Sequence, residues 1–162
     1  MDKLGIYDCL RRRGIWFEIT EHKAVYNMEE LSEVVLPYPE ADAKNLFVRD
    51  DKKRNYYLIT VKGDKKVDLK AIQKEQGTRR LSFASAEDLS ALLGLIPGAV
   101  TPLGLLNDAE RRVQFFIDGA FAAPPGLIGV HPNDNTATVW LKTEDLLAIL
   151  EEQGHPARII QV

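Results

Sequence analysis

The sequence AKNLFVRDDKKRNYYLITV, residues 43–61, contains two runs of β-forming residues on either side of a short charged turn. Val, Ile, Phe, Tyr and Thr are enriched in strands, and a short polar segment between two such runs is typical of a hairpin. We therefore expect strands over residues 43–49 and 55–61, joined through residues 50–53 into an antiparallel pair.

Ahead of this hairpin the sequence predicts further regular elements. Leu4, Tyr7 and Leu10 recur at helical spacing, which indicates an apolar stripe on one helix face. Asn27 stands three residues before Glu30, close to the capping-box pattern that begins a helix. The expected elements are a helix over 2–13, a strand over 16–20 and a helix over 28–35.

Behind the hairpin, cap and stop residues divide the chain. Ser85 with Asp88, and later Thr143, are good helix caps, and Gly77 and Gly154 are good helix stops. The expected elements are helices over 68–76, 86–93 and 143–153, and strands over 80–84, 113–117, 127–130, 136–141 and 157–162. Strands alternate with helices, yet several strands follow one another through tight turns, so we expect an α/β fold with a mixed, largely antiparallel sheet and helices outside it.

Composition excludes several classes of protein. The 162 residues contain no linker and no repeat, so we expect a single domain over residues 1–162. No apolar run approaches the roughly 20 residues of a membrane span, and the N-terminus lacks a secretory signal. A lone Cys9 fits a packing position and a reducing compartment, and three histidines with one cysteine are poor material for zinc. We expect a cytoplasmic protein without metal, cofactor or membrane contact.

The charge is unevenly distributed. The net charge is −3, but residues 44–80 hold 12 Lys and Arg against 5 Asp and Glu, a local +7, while the remainder holds 9 against 19, a local −10. A basic stretch in an acidic chain is typical of a polyanion-binding surface, although a solvated basic face would give the same pattern.

Three segments carry the candidate chemistry, since the familiar nucleotide, metalloprotease and serine-hydrolase motifs are absent. Residues 94–104, GLIPGAVTPLG, combine glycines and prolines, so the backbone amides around Gly98 could cradle an oxyanion; a structural loop is the alternative. His131 opens a polar turn between two strands, where it could bind a hydroxyl or move a proton, or merely be hydrogen-bonded. His22 and His155 lie in segments with the character of exposed turns, and neither is assigned a role. Lys44 opens a strand and could present its ammonium to a phosphate or a carbonyl, or only to water.

Taken together, these segments resemble one family. AKNLF at 43–47, GLIPG at 94–98 with VTP at 100–102, and HPNDNTAT at 131–138 occur in the order found in free-standing bacterial prolyl-tRNA editing proteins, relatives of the editing domain inserted in prolyl-tRNA synthetase. The resemblance covers essentially the whole chain. LGLLND at 103–108 looks closer to the alanyl-tRNA(Pro) deacylase branch than to the YbaK-like cysteinyl branch. One departure is the polar pair at 133–134, where many relatives have apolar residues.

The resemblance implies a barrel-like mixed sheet, no cofactor, and hydrolysis of the ester that joins a wrong amino acid to the 3′-terminal adenosine of tRNA(Pro). The alternatives are cysteinyl-tRNA(Pro) deacylation and a non-catalytic tRNA-binding module of the same fold. The implied partners are the tRNA(Pro) acceptor end and prolyl-tRNA synthetase, and the basic stretch at 44–80 is then expected to lie near Lys44 and to meet the acceptor end. The site residues that it implies are Lys44, Gly98 and His131 as catalytic groups and Asn45, Gly94, Ile96, Pro97, Asn135 and Thr136 as substrate-binding groups.

Overall fold

A computed structural model describes residues 1–24 and 35–162 of the chain. The helix predicted over 28–35 lies, apart from its last residue, outside the described residues. The helices are α1 (Lys3–Arg12), α2 (Leu69–Gln76), α3 (Ala86–Leu93) and α4 (Thr143–Glu152). The strands are β1 (Phe17–Glu21), β2 (Ala43–Asp50), β3 (Tyr56–Lys62), β4 (Leu81–Phe83), β5 (Val113–Asp118), β6 (Leu127–Val130), β7 (Ala137–Lys142) and β8 (Ala157–Ile160).

These strands form two sheets. The first has the order β1-β7-β6 and is antiparallel throughout. The second has the order β4-β2-β3-β5-β8, in which β2 pairs antiparallel with β3 and β4, whereas β3-β5 and β5-β8 are parallel. The hairpin predicted over 43–61 is confirmed, since Ala43 pairs with Lys62 and Arg49 with Tyr56. The fold is thus mixed and largely antiparallel, as expected.

A single bridge connects the two sheets in the described part of the chain. Asp42, just before β2, pairs in parallel with Gly129 of β6. The sheets therefore curve around a common interior without closing into a continuous barrel. Large apolar side chains from both sheets fill that interior, among them Phe47, Leu58, Phe115, Val130 and Val139. A smaller cluster covers the outer face of the five-stranded sheet, where Val48, Ile59 and Phe116 pack under Ile72 of α2.

Local sequence explains most element ends. The carboxylate of Asp68 accepts hydrogen bonds from Lys70 N and Ala71 N at the start of α2, and the hydroxyl of Ser85 accepts one from Asp88 N at the start of α3. Gly77 and Gly94 end these helices with φ of +66° and +64°, a conformation that costs glycine little.

Three sequence predictions about individual residues are wrong. Leu4 is 68% exposed, because the buried face of α1 centres on Ile6, Tyr7 and Leu10. Thr143 does not cap α4 but is its first residue, and its hydroxyl donates 2.9 Å to Phe121 O. The third concerns His155, predicted in an exposed turn.

His155 is buried instead, together with a carboxylate. Its Nε2 lies 3.0 Å from Asp108 Oδ2, and both side chains are almost inaccessible to solvent. Asp108 also accepts hydrogen bonds from Arg112 N at 3.1 Å and Val113 N at 2.8 Å. This cluster ties the segment before β8 to the segment before β5.

Candidate functional site at the junction of the sheets

The candidate site begins where β2 and β6 separate. They meet at the bridge between Asp42 and Gly129, and two residues beyond it stand Lys44 on one strand and His131 on the other. Alternate residues of a strand share a face, and Ala43 and Val130 point into the interior between the sheets. Lys44 and His131 therefore lie on the opposite, outward face of the same junction.

Lys44 is half-buried, and its ammonium donates to the main-chain oxygen of Lys65. That oxygen is held in place because Lys65 Nζ forms an ion pair of 2.7 Å with the buried carboxylate of Asp118. Burial alone would raise the pKa of Asp118, but hydrogen bonds from Lys65 and from the Ala120 and Lys62 amides outweigh it and hold the pKa below its usual range. Among the residues that the structure describes, Lys44 thus bonds to a neutral oxygen and forms no ion pair with a carboxylate.

His131 is held as a neutral imidazole. Its Nδ1 lies 2.8 Å from Ala137 O, so that nitrogen carries the proton and donates, and Nε2 keeps its lone pair. Burial lowers the pKa of His131 below its ordinary value, which favours this uncharged form at neutral pH. The ring can therefore accept a hydrogen bond at Nε2.

A second histidine, His22, completes this edge of the site. Its ring packs edge-on against His131 with 6.0 Å between ring centroids, and its Nε2 lies 3.0 Å from Thr138 Oγ1. The sequence prediction assigned His22 no role. Only the register of β1 against β7, in which Thr20 faces Thr138, shows that the two histidines meet.

The polar turn after β6 is braced by its own side chains. Asp134 accepts from Thr136 N at 2.8 Å and from the Thr136 hydroxyl, which also receives Lys3 Nζ at 2.9 Å. Hydrogen bonds from Thr136 are the chief reason that the pKa of Asp134 is lowered. Asn135 is buried within the same turn. Substrate binding by Asn135 and Thr136 stays a prediction, beside this structural role.

The loop after α3 is fastened to the same turn. Thr101, fully buried, donates its hydroxyl to His131 O at 2.7 Å. Gly98 has φ of +89° and is half-buried, and in the described part of the chain its N–H donates no hydrogen bond.

In the same loop, Ile96 is 58% exposed and Pro97 is exposed, so they border an open surface. Gly94 ends α3. That this loop contacts the substrate through Gly94, Ile96, Pro97 and Gly98 stays a prediction.

Asn45 lies on the other face of β2 from Lys44. Its Oδ1 accepts a hydrogen bond of 2.6 Å from the hydroxyl of Thr60, its cross-strand neighbour. Lys44 and His131 thus each follow the same bridge by two residues, and Thr101 ties the loop at 94–102 to His131. Asn45 faces the interior from the other side of β2.

The basic stretch at 44–80 does not gather at Lys44, contrary to expectation. Lys62 and Lys65 lie at the Lys44 end of the hairpin, but Lys52, Lys53 and Arg54 lie at its turn. Six residue steps of about 3.3 Å along β2 separate the two ends by ~20 Å.

Asp42, at the bridge itself, is a buried carboxyl group that forms no ion pair with a described residue. Burial raises its pKa from 3.8 to about 6. The folded protein therefore binds this proton more tightly than the unfolded chain does, and stability is lost as pH rises from about 4 to about 6.

We expect Asp42→Asn to gain stability relative to the native chain as the pH is raised from ~4.5 to ~8. The free energy of unfolding of the variant, relative to that of the native chain, should increase by about 1–3 kcal/mol between these two pH values. Asparagine keeps the shape but cannot ionise. Urea unfolding of both proteins at the two pH values measures this. An equal stability difference between the two proteins at both pH values would contradict the raised pKa of Asp42.

Residues 1–24 and 35–162 offer neither a metal centre nor a membrane span. No group of three or more His, Cys, Asp or Glu is placed to hold a metal ion. No helix there has both the length and the apolar character needed to cross a membrane.

Comparison with known proteins identifies relatives of the whole arrangement. The family model described as "Aminoacyl-tRNA editing domain" matches residues 22–149. The chain is 39% identical over 160 residues to the prolyl-tRNA editing protein ProX of Acetoanaerobium sticklandii, covering 99% of this chain and 97% of the relative. It is 34% identical to the prolyl-tRNA synthetase associated domain-containing protein 1 of Mus musculus, covering 88% and 86%.

A solved structure shares the fold. It is that of a candidate trans-editing enzyme for prolyl tRNA synthetase, with a TM-score of 0.73, 20% identity and coverage of 98% of this chain and 94% of the other. At this identity the likeness concerns the architecture alone.

Proposed function

The chain belongs to the aminoacyl-tRNA editing domain family, and from this we propose that it hydrolyses mischarged tRNA(Pro) in trans, chiefly alanyl-tRNA(Pro). The observation that carries the proposal is the junction beyond the Asp42–Gly129 bridge, where Lys44 and His131 stand and where Thr101 ties the Gly98 loop to His131. The 39% identity to a prolyl-tRNA editing protein, over nearly the full length of both chains, supports tRNA(Pro) as the substrate.

The reaction is ester hydrolysis. Water adds to the carbonyl carbon of the aminoacyl ester, the bond to the ribose oxygen breaks, and the amino acid leaves while that oxygen takes a proton. Aminoacyl esters are activated, so positioning of water and carbonyl supplies much of the catalysis. Stabilising the developing oxyanion is worth about 2.7–4 kcal/mol for one well-placed donor in other hydrolases.

Each residue has a defined part in this proposal. Lys44 exchanges its bond with the Lys65 oxygen for the terminal phosphate or the ester carbonyl region. The Gly98 amide, which donates to no residue within 1–24 and 35–162, donates to the carbonyl oxygen or holds the water. His131 Nε2 accepts a hydrogen bond from the adenosine ribose or from the amino acid and so orients it.

A separate editing enzyme has a physical reason to exist. A site selecting proline discriminates against a smaller amino acid by only ~1–3 kcal/mol, because a missing methylene is weakly read. A second site too small for proline supplies the remaining selectivity. We propose that Ile96, Pro97 and the adjoining backbone form its wall around the substrate. Prolyl-tRNA synthetase is then the source of the mischarged substrate, and the cytoplasm the place of the reaction.

Purified protein incubated separately with alanyl-, cysteinyl- and prolyl-tRNA(Pro) tests the proposal. We expect release of alanine well above spontaneous hydrolysis and no release of proline. Release of cysteine in preference to alanine would assign the chain to cysteinyl-tRNA(Pro) instead. Binding of tRNA without release of any amino acid would show a non-catalytic module and overturn the proposal.

A further inference from the structure

A second basic surface lies at the end of the five-stranded sheet far from Lys44. It consists of Lys52, Lys53, Arg54, Arg111, Arg112 and Arg158, and we name it the hairpin-end surface. All six side chains are exposed. Half of them come from outside the basic stretch at 44–80, so charge along the sequence does not reveal the group.

The sheet register assembles this surface. Tyr56 of β3 pairs in parallel with Val113 of β5, so the two chains enter the sheet side by side, bringing Arg54 alongside Arg111 and Arg112. Arg158 of the edge strand β8 pairs with Phe116 of β5. The other five cations therefore lie just before the entry ends of β3 and β5, whereas Arg158 lies on the edge strand, level with a residue three positions into β5.

Aromatic rings hold two of the guanidinium groups in place. Arg112 Cζ lies 5.8 Å from the centroid of the Tyr56 ring, and Arg158 Cζ lies 5.9 Å from that of Phe116. A cleft of about 460 Å³ opens between Arg111 and Arg158, with Gln114 on its wall. Guanidinium groups fixed in this way lose less freedom on binding an anion than mobile ones.

These cations are also uncompensated. None of the six forms an ion pair with a carboxylate in the described part of the chain. Asp51, at the same turn, is occupied by Arg79 through bonds of 2.6 and 3.0 Å. Asp50 is buried and accepts from Arg54 N and Asn55 Nδ2. The surface thus presents positive charge that an external anion can neutralise.

We propose that the hairpin-end surface binds the sugar-phosphate backbone of the RNA acceptor stem while the aminoacyl end lies at Lys44. This inference rests on the proposed function for the identity of the substrate. The ~20 Å between the two ends of β2 is about the length over which one strand of a duplex places six phosphates. Duplex RNA is recognised mainly through backbone and shape, which suits a surface of exposed cations.

The test compares two triple variants of the full chain. The first is Arg111→Gln with Arg112→Gln and Arg158→Gln. The second, matched in charge, is Arg11→Gln with Arg12→Gln and Lys142→Gln, whose side chains are exposed elsewhere. Each is assayed with alanyl-tRNA(Pro) and with the alanyl ester of the trinucleotide CCA, which lacks a stem. Binding of uncharged tRNA(Pro) is measured over a range of salt concentrations.

We expect the first variant to raise KM for alanyl-tRNA(Pro) at least ~10-fold and to reduce the slope of log affinity against log salt by about 2–3. Hydrolysis of the CCA ester should equal that of the native chain, and the matched variant should change little. Equal effects of both variants, or an unchanged salt slope in the first, would overturn the inference. If the native chain hydrolyses neither ester, the proposed function fails, while tRNA binding still decides on the surface.

Discussion

Replacement of Lys44 by alanine is expected to lower kcat/KM for deacylation of alanyl-tRNA(Pro) by at least ~10²-fold. Lys44 stands two residues beyond the bridge between Asp42 and Gly129, and its ammonium donates to the neutral Lys65 oxygen. In our proposal it binds a phosphate or the ester carbonyl region, an interaction that alanine cannot replace.

The fold should survive this change. Lys44 is half-buried at the start of β2, and its side chain takes no part in either apolar cluster. We therefore expect an unfolding midpoint close to that of the native chain. Lys66→Ala is the matched control, since Lys66 is an exposed lysine one residue beyond the Lys44 partner. Full activity in Lys44→Ala, or an equal loss in Lys66→Ala, would rule out the role given to Lys44.

Replacement of Asp108 by alanine is expected to produce the largest loss of stability, about 3–5 kcal/mol. Its carboxylate receives the Arg112 and Val113 amides and the Nε2 of His155, all in a buried setting. Alanine leaves these donors without an acceptor, and each buried, unsatisfied donor costs about 1–3 kcal/mol. Such a loss is a large part of the ~5–15 kcal/mol by which a domain of this kind is stable.

Urea unfolding of the variants measures this prediction. Asp51→Ala is the matched control, because it also removes a carboxylate that accepts hydrogen bonds, here from Arg79, but at an exposed site where solvent screens the pair. The loss in Asp108→Ala should greatly exceed that in Asp51→Ala. Comparable losses would mean that the buried cluster between β5 and β8 does not hold these segments together.

Local sequence was sufficient for the elements and for the hairpin. Alternating β-formers around 50–53 predict β2 and β3, and Gly77 and Gly94 mark helix ends because glycine accepts positive φ. Element identity depends on short-range pattern, which a single sequence contains.

Contacts between distant elements were not predictable in the same way. The site depends on a bridge between residues 42 and 129, and on the register that brings His22 against His131. The sequence around His155 is typical of an exposed turn, and only the pairing of β5 with β8 shows that His155 is buried beside Asp108. The basic stretch divides between the two ends of an extended hairpin, and the positions of charges along the sequence do not show which of them lie close together in space.

The most direct test of the proposed deacylation is the first-order rate of amino-acid release from alanyl-tRNA(Pro) with an excess of the native protein. The same rate is measured with prolyl-tRNA(Pro) as the substrate and with Lys44→Ala as the protein. We predict rapid loss of alanine with the native protein, stable prolyl-tRNA(Pro), and release near the spontaneous rate with the variant. Alanine release by the native protein at the spontaneous rate, or equal hydrolysis of the prolyl ester, would contradict it.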